Sequence, residues 1–300
     1  MRDISSKIRN KSKVSKNSKV LERSKISNNS MVLNNSEILF GSLVTNNSVV
    51  LNNSKLSMFS KVSDNSEISN CSEIMSSEVS DNSIVSNNSK VLCDSKISRS
   101  EVMWSEVSGN SRVLDRSRVL DKSKVSCKSK VLCRSEVSDN SIVLNNSRVL
   151  NNSKILNWSQ VLDGSQISNY SEVSGGSKVL NNSRVLDASE ISNYSEVSNY
   201  SEVSNYSKVS NGSKVSNNSR VLNNSKVLDG SKIYNTTIVN SEVRGLELKD
   251  GKVLGKATRI REEGAKKNPI LGDFIARLAR DDSFIHRDTN YNINIIRDWR

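Results

Sequence analysis

Few residues of this chain could perform acid–base or metal chemistry. Its 300 residues include one histidine, His286, and four cysteines, Cys71, Cys93, Cys127 and Cys133. A general base must reach its substrate and have a pKa near neutrality, and histidine is the side chain that most often meets both conditions. The histidine has no clustered partners and the chain has no Gly-rich phosphate loop. We therefore expect no catalytic residue, no metal site and no cofactor.

The serines and cysteines follow a structural repeat instead. From near its start to Ile233 the chain repeats six residues: Ser, a variable residue, Val or Ile, Leu or Ser, Asn or Asp, and a variable residue. The aliphatic position occurs 39 times. A strict period of six predicts a short strand and a corner in every unit. The cysteines occupy corner slots, which favours reduced substitutes for Asn over a disulfide or metal set.

The repeat also predicts which side chains point inward. Ser and the aliphatic residue lie two apart and share one side of the strand, while the charged residue between them faces outward. The corner needs a backbone position near the left-handed region, which Asn, Asp and Gly adopt at lowest cost. Five aromatic residues stand in the second corner slot, where we expect them to stack on neighbouring corners: Trp158, Tyr170, Tyr194, Tyr200 and Tyr206.

This pattern resembles the hexapeptide-repeat family, and the resemblance covers about four fifths of the chain. It implies an all-β fold, a single-stranded left-handed parallel β-helix in which three units form one triangular coil, with about 13 coils over residues 1–243. Many members are trimeric acyltransferases that use a histidine at the subunit interface. The repeats here contain no histidine, and the units from Val107 to Ile233 contain no inserted loop. The chain is therefore identified as a non-catalytic member.

Residues 244–300 have a different character. Residues 245–254 alternate about Asp250-Gly251, which predicts a hairpin. A helix face follows Pro269, formed by Leu271, Phe274, Ile275 and Leu278, and residues 291–295 suit a strand. Because an open β-helix exposes unpaired strands at its ends, we expect this segment to form a small α+β cap. An attachment or oligomerisation module is the alternative.

The six-residue rhythm slips to five between Ile74 and Val79, between Ile97 and Val102, and between Val102 and Val107. A shortened corner tightens or bends the repeat locally. Neutral variation in a repeat array is the favoured interpretation, and a kink or docking notch is the functional alternative.

One outward face is mostly positive, in a chain of net charge +12. Residues 18 apart stack, so this face is predicted to carry Arg112, Lys130, Arg148, Arg184 and Arg220, interrupted by Gln166 and Glu202. Leu accompanies each cation two residues later, as Leu114, Leu132, Leu150, Leu186 and Leu222, whereas Ser accompanies Gln or Glu. Cation stems could cover these leucines. Like charges opposite one another are unfavourable, so the run from Arg112 to Arg148 indicates an anionic partner.

These observations favour a non-enzymatic structural or interaction scaffold that presents charged and Leu-bearing faces to a protein partner or to another copy. The alternatives are an acyltransferase-like trimer that uses His286, and a polyanion-binding rod. Nucleic acid is the less favoured anion because no aromatic or helical readout element accompanies the cations. The N-terminus lacks the apolar stretch of a signal peptide and no later segment has the length of a membrane span, so we expect a soluble, cytoplasmic protein without membrane contact.

Overall fold

The computed structural model describes the backbone of residues 6–262, 283–287 and 293–297 and the side chains of residues 6–254. Most of it consists of short parallel strands connected by tight corners, and within a unit the short strands pair three places apart along the chain, as β19 pairs with β22 over Arg112–Leu114 and Lys130–Leu132. Three strands make one coil of about 18 residues. The structure divides into two compact units, Met1–Asn151 and Asn152–Arg300, which we describe in turn.

The strands of the first unit form three parallel sheets, which we call faces A, B and C. Face A contains β1 Lys7–Ile8, β4 Lys25–Ile26, β7 Leu43–Val44, β10 Lys61–Val62, β13 Glu78–Ser80, β16 Lys96–Ser98, β19 Arg112–Leu114, β22 Lys130–Leu132 and β25 Arg148–Val149. Face B contains β2 Lys13–Val14, β5 Met31–Val32, β8 Val49–Val50, β11 Glu67–Ile68, β14 Ile84–Ser86, β17 Glu101–Met103, β20 Arg118–Val119 and β23 Glu136–Val137. Face C contains β3 Lys19–Val20, β6 Glu37–Ile38, β9 Lys55–Ser57, β12 Glu73–Met75, β15 Lys90–Leu92, β18 Glu106–Val107, β21 Lys124–Val125 and β24 Ile142–Val143.

The second unit has the same construction, and we call its sheets faces D, E and F. Face D contains β26 Lys154–Ile155, β29 Glu172–Val173, β32 Glu190–Ile191, β35 Lys208–Val209 and β38 Lys226–Leu228. Face E contains β27 Gln160–Val161, β30 Lys178–Val179, β33 Glu196–Val197 and β36 Lys214–Ser216. Face F contains β28 Gln166–Ile167, β31 Arg184–Val185, β34 Glu202–Ser204 and β37 Arg220–Leu222.

Two long strands continue the coils of the second unit. Strand β39, Lys232–Arg244, pairs in parallel with β36, β37 and β38 in turn, and β40, Glu247–Glu262, pairs in parallel with β39. The hairpin predicted for residues 245–254 is therefore wrong. The alternating residues of this segment form further coil units. Leu248 and Val253 are buried, and they continue the five-residue spacing of inward residues that begins at Ile233. The two units contain about 14 coils, one more than predicted.

The last described strands are β41, Ser283–Arg287, and β42, Ile293–Arg297, which pair antiparallel. Strand β42 confirms the strand predicted around residues 291–295. The helix predicted at Leu271, Phe274, Ile275 and Leu278 lies outside the described residues. The division of the chain after residue 243 into a β-helix and a cap stays a prediction.

The core is a column of aliphatic side chains. Every inward Val, Ile or Leu from Val20 to Val243 is inaccessible to solvent, as the repeat predicted. Burial of each such side chain contributes about 1.5–3 kcal/mol. The inward serines are buried beside them, and in most coils the hydroxyl accepts a hydrogen bond from the serine N–H of the next coil, as Ser177 Oγ does from Ser195 at 3.1 Å. The polar groups of this narrow core are therefore satisfied chiefly through the backbone.

The corners show why asparagine dominates them. A six-residue unit usually places two consecutive corner residues in the left-handed region, as in Asn145 (φ 57°) and Asn146 (φ 64°). Their side chains also bond from coil to coil: Asn28 Nδ2 donates to Asn46 Oδ1 at 2.8 Å. A five-residue unit keeps only one left-handed residue, as at Ser76 (φ 47°). Strand register is retained across that corner, since Val62 still pairs with Val79.

Candidate functional site

Four cationic side chains occupy the same outward position in successive coils of face A. Lys96 pairs in register with Arg112, Arg112 with Lys130, and Lys130 with Arg148. We call these four residues the cation ladder. Adjacent parallel strands lie about 4.8 Å apart, so like charges stand directly opposite one another in three consecutive steps. This arrangement is unfavourable unless anionic groups from elsewhere compensate it.

On face C of the same unit, cations and carboxylates of the chain compensate one another. From Lys19 to Lys124 its outward positions alternate in sign through six registered pairs: Lys19 with Glu37, Glu37 with Lys55, Lys55 with Glu73, Glu73 with Lys90, Lys90 with Glu106, and Glu106 with Lys124. Ion pairs form within this series, for example between Lys19 and Glu37 at 2.7 Å. The unalternated cation ladder therefore departs from the pattern of face C in the same unit.

Lys96, the first cation of the ladder, is neutralised by a carboxylate, and within the described residues the other three cations are not. Lys96 Nζ lies 3.2 Å from Glu78 Oε2, and Lys61 Nζ lies 3.1 Å from Glu78 Oε1. Burial raises the pKa of the Glu78 carboxyl. The hydrogen bonds and positive charges of the two lysines lower that pKa by more than burial raises it, so the pKa lies below its ordinary value. Among residues 6–254, the side chains of Arg112, Lys130 and Arg148 contact no carboxylate at ion-pair distance.

The Ser that stands two places after several outward glutamates has a physical role. Where the outward residue is Glu and Ser stands two places later, that Ser often donates a hydrogen bond to the carboxylate, as Ser192 does to Glu190 at 2.7 Å and Ser198 to Glu196 at 2.8 Å. A cation cannot accept this bond. Leu114, Leu132 and Leu150 take this position beside Arg112, Lys130 and Arg148, whereas Ser98 takes it beside Lys96. The three leucines are half-buried, as expected for leucines partly covered by cation stems.

The other predicted cations lie in the second unit. Arg184 and Arg220 belong to face F, and each pairs in register with Glu202 between them. Arg184 lies 4.0 Å from the Glu202 carboxylate. Leu186 and Leu222 beside them are half-buried. The structure thus brings Arg112, Lys130 and Arg148 together, and places Arg184 and Arg220 in a separate ladder that contains its own counter-charge.

A second row of cations follows the corner that links face A to face B. Arg99, Arg116 and Arg134 hold this corner in three successive coils, and we call them the arginine edge. The N–H of Arg116 donates to the carbonyl of Arg99 at 2.6 Å, and the N–H of Arg134 donates to that of Asp115 at 2.9 Å. Arg99 lies 3.6 Å from Asp115. The leucines of face A lie between the arginine edge and the cation ladder.

The shortened corners open notches in the surface. Loss of one corner residue at Ser76 leaves a notch of about 600 Å³ between the corners of the coils before and after it. It is lined by Met58, Phe59, Lys61, Ser76, Ser77, Glu78, Asp94, Ser95, Lys96 and Arg112. We call it the Ser76 notch. A smaller notch of about 330 Å³ adjoins Arg99 and is lined partly by Arg116 and Arg118. The Ser76 notch includes the first two cations of the ladder.

Sequence reasoning missed the arginine edge because it considered only the outward positions of strands, and it missed Lys96 because of the shortened corners. Stacking was read from an interval of 18 residues, but two shortened corners reduce the interval between Lys96 and Arg112 to 16. Counting three aliphatic positions per coil from Ile97 to Val113, instead of counting residues, aligns these cations correctly. The signal was therefore present in the sequence.

Other candidate groups are not assembled into a site. Cys71, Cys93, Cys127 and Cys133 are free and exposed at corners. Within the described residues no group of three or more His, Cys, Asp and Glu side chains is placed to hold a metal ion. His286 lies on β41, where its backbone pairs with Arg261 and Asn294. No helix of the described part of the chain is long and apolar enough to cross a membrane.

Comparison with known proteins adds no identification. A scan of the chain against protein-family models finds no match, and a search of curated proteins finds no significantly similar sequence. The parallel solenoid with coils of about 18 residues therefore rests on the repeat and on the structure.

Proposed function

We propose that this chain is a non-catalytic hexapeptide-repeat protein that serves as an interaction scaffold and binds a negatively charged partner through the cation ladder. The observation that carries the proposal is the register of Lys96, Arg112, Lys130 and Arg148 in four successive coils of face A. On face C the same unit interleaves each cation with a carboxylate. An anionic partner would supply the charges that face A lacks.

The surroundings of the ladder support a binding surface. The arginine edge adds three cations beside it, and only Arg99 of these has an ion-pair partner among the described residues, Asp115. Arginine and lysine on a regular scaffold attract anions over a distance set by the ionic strength. The half-buried leucines between the two rows offer apolar contact once a partner excludes water.

The acyltransferase alternative has weaker support. It depends on His286 acting as a base between subunits, and that residue stands on β41 outside the repeats. The charge pattern of face A gives no reason for a transferase site. We therefore keep the scaffold as the proposed function.

The experiment is a binding measurement with labelled polyglutamate as the probe, by fluorescence anisotropy between about 50 and 200 mM salt. We expect binding that weakens steeply with salt and that falls at least tenfold in the Lys130→Glu variant. The control is Lys90→Glu, which makes the same charge change on face C beside an equivalent leucine, Leu92. Equal weakening by both variants would show that only net charge matters and would contradict the assignment to face A.

A further inference from the structure

Resting on the proposed function, we infer that the partner of the cation ladder is an acidic polypeptide segment, bound in extended form along face A, with an apolar side chain seated in the Ser76 notch. The notch and the ladder share Lys96 and Arg112. One ligand can therefore occupy both.

The chemistry of the notch differs from that of the ladder. Met58 and Phe59 line one side and are 48% and 81% exposed, and Phe59 is the most exposed large apolar side chain among the described residues of this unit. The notch also contains two carboxylates, Glu78 and Asp94. A ligand with uniform negative charge would meet both of them. A segment that is apolar at one end and acidic along the rest meets the apolar wall first and the cations afterwards.

Hydrogen bonds connect the corner at Ser76 to the corners of the coils before and after it. Ser76 Oγ donates to the carbonyl of Met58 at 3.3 Å, and the N–H of Asp94 donates to the carbonyl of Ser76 at 2.7 Å. The ring of Phe59 leans over Gly41, in the coil before it: a Cβ added to Gly41 would lie 2.7 Å from Phe59 Cε1. Because Gly41 has no Cβ, the ring has room on that side, opposite the single-residue corner at Ser76.

The ladder favours a polypeptide over a nucleic acid. Proteins that bind single-stranded nucleic acid combine a basic groove with aromatic side chains on which bases stack. Here leucines lie beside the ladder cations: Leu114 stands two residues after Arg112, and Leu132 two residues after Lys130. Leucines are suited to the aliphatic parts of a peptide, and the cations to its carboxylates. From the coil of Glu78 to that of Arg148 the surface spans about 19 Å, the length of about six extended residues.

The test uses the full chain and three labelled probes of similar length. The anchored peptide has about ten residues, with a Leu-Phe pair at one end and glutamates at alternate positions along the rest. The plain peptide has a Ser-Ser pair instead, and the third probe is an oligothymidylate. Fluorescence anisotropy at fixed salt measures each affinity. We expect the anchored peptide to bind at least fivefold more tightly than the plain peptide, and the oligothymidylate to bind more weakly than either.

Two corner variants locate the anchor. Met58→Asn with Phe59→Asn restores the commonest corner of this chain, Asn-Asn, and both positions already have the left-handed φ that Asn adopts readily. This double variant should reduce binding of the anchored peptide to the level of the plain peptide and leave the plain peptide unchanged. The control is Tyr194→Asn, an equivalent corner change in the second unit, which should change neither affinity.

The outcomes separate the two proposals. Equal affinities of the anchored and plain peptides, with both lost in Lys130→Glu, would overturn the notch inference and leave the proposed function standing. Tighter binding of the oligothymidylate than of the anchored peptide would overturn the inference in favour of nucleic acid. Failure of all three probes to bind would overturn the proposed function itself.

Discussion

Arg112 and Lys130 are directly opposite one another on β19 and β22, in register and with no carboxylate between them. Like-charged pairs at this position of a sheet are destabilising, while opposite charges contribute about 0.2–1 kcal/mol. The same unit avoids such pairs along face C. The cation ladder thus costs the fold stability, and a partner that supplies anions offsets the cost.

The first prediction is that Lys130→Glu stabilises the free protein while it weakens binding. The new carboxylate would face Arg112 on one side and Arg148 on the other. We expect the free energy of unfolding to rise by about 0.5–1 kcal/mol at low salt, and the gain to shrink as salt screens the charges. Urea denaturation followed by circular dichroism measures the change.

Lys90→Glu is the matched control for that prediction. It places a third consecutive carboxylate between Glu73 and Glu106 on face C, so stability should fall by a similar amount. Destabilisation by both variants would contradict the interpretation of the ladder as a site of unrelieved repulsion.

The second prediction concerns the Glu78 carboxyl. Its folded pKa lies below the unfolded value, because hydrogen bonds from Lys61 and Lys96 outweigh the effect of burial. Ionised Glu78 therefore contributes stability that is fully present above the unfolded pKa and is lost as the pH falls through the folded pKa. Glu78→Gln should be less stable than the natural chain at neutral pH, by less than about 1 kcal/mol because solvent screens the pair.

The measurement for Glu78→Gln is the urea midpoint as a function of pH. The two proteins should converge in acid, below the folded pKa of Glu78. A difference that stays constant down to that pH would mean that the substitution acts through packing and not through charge.

Much of this fold follows from sequence because one pattern is repeated. The inward aliphatic residue, the buried serine and the Asn-rich corner were each predicted from six residues and recur in successive coils, so a local error in one unit hardly affects the rest. The stacking of corner aromatics is confirmed where the neighbour is small: Tyr194 lies over Gly176.

The parts that sequence reasoning missed lie where the period changes. Between Ile74 and Val107 the interval between neighbouring strands varies from 16 to 18 residues, so a fixed interval of 18 did not align Lys96 with Arg112. After Ile233 the units shorten to five, and their alternation was taken for a hairpin about Asp250. A hairpin strand and a shortened coil unit share the same alternation of inward and outward side chains, and only the pairing direction distinguishes them.

The third prediction tests the aromatic corner at Tyr194. A Cβ added to Gly176 would lie 2.8 Å from Tyr194 Cε1, whereas a Cβ added to Gly212 would meet no atom within 4 Å. Both glycines have φ near +70°, a conformation that Asn tolerates. We expect Gly176→Asn to lower the urea midpoint, at a cost of about 1 kcal/mol because the exposed ring can swing away. Gly212→Asn should change it little.

A double variant isolates the contact between those two corners. In a Tyr194→Asn background, Gly176→Asn should hardly change the free energy of unfolding, because the ring is absent and asparagines commonly stack in the corners of successive coils. The coupling between the two substitutions measures the contact directly. Additive effects would place the cost in the backbone of residue 176 and not in the ring.

The fourth prediction compares two buried serines. Ser177 and Ser111 are both inaccessible to solvent. Ser177 Oγ accepts the Ser195 N–H at 3.1 Å, while Ser111 Oγ, beside Arg112, has no hydrogen-bond partner. Removing the acceptor leaves a buried N–H unsatisfied at a cost of about 1–3 kcal/mol, and removing an unpartnered hydroxyl relieves a desolvation cost.

Ser177→Ala should therefore destabilise the protein, and Ser111→Ala should leave its stability unchanged or raise it. Hydrogen exchange of the residue 195 amide provides a local readout, because loss of its acceptor should reduce protection there and spare amides several coils away. Equal losses of stability in the two variants would instead point to the volume of the hydroxyl as the common cause. In that case the serines of the core would act as spacers between the coils, and the hydrogen bonds between their hydroxyls and the next coil would add little to the stability of the fold.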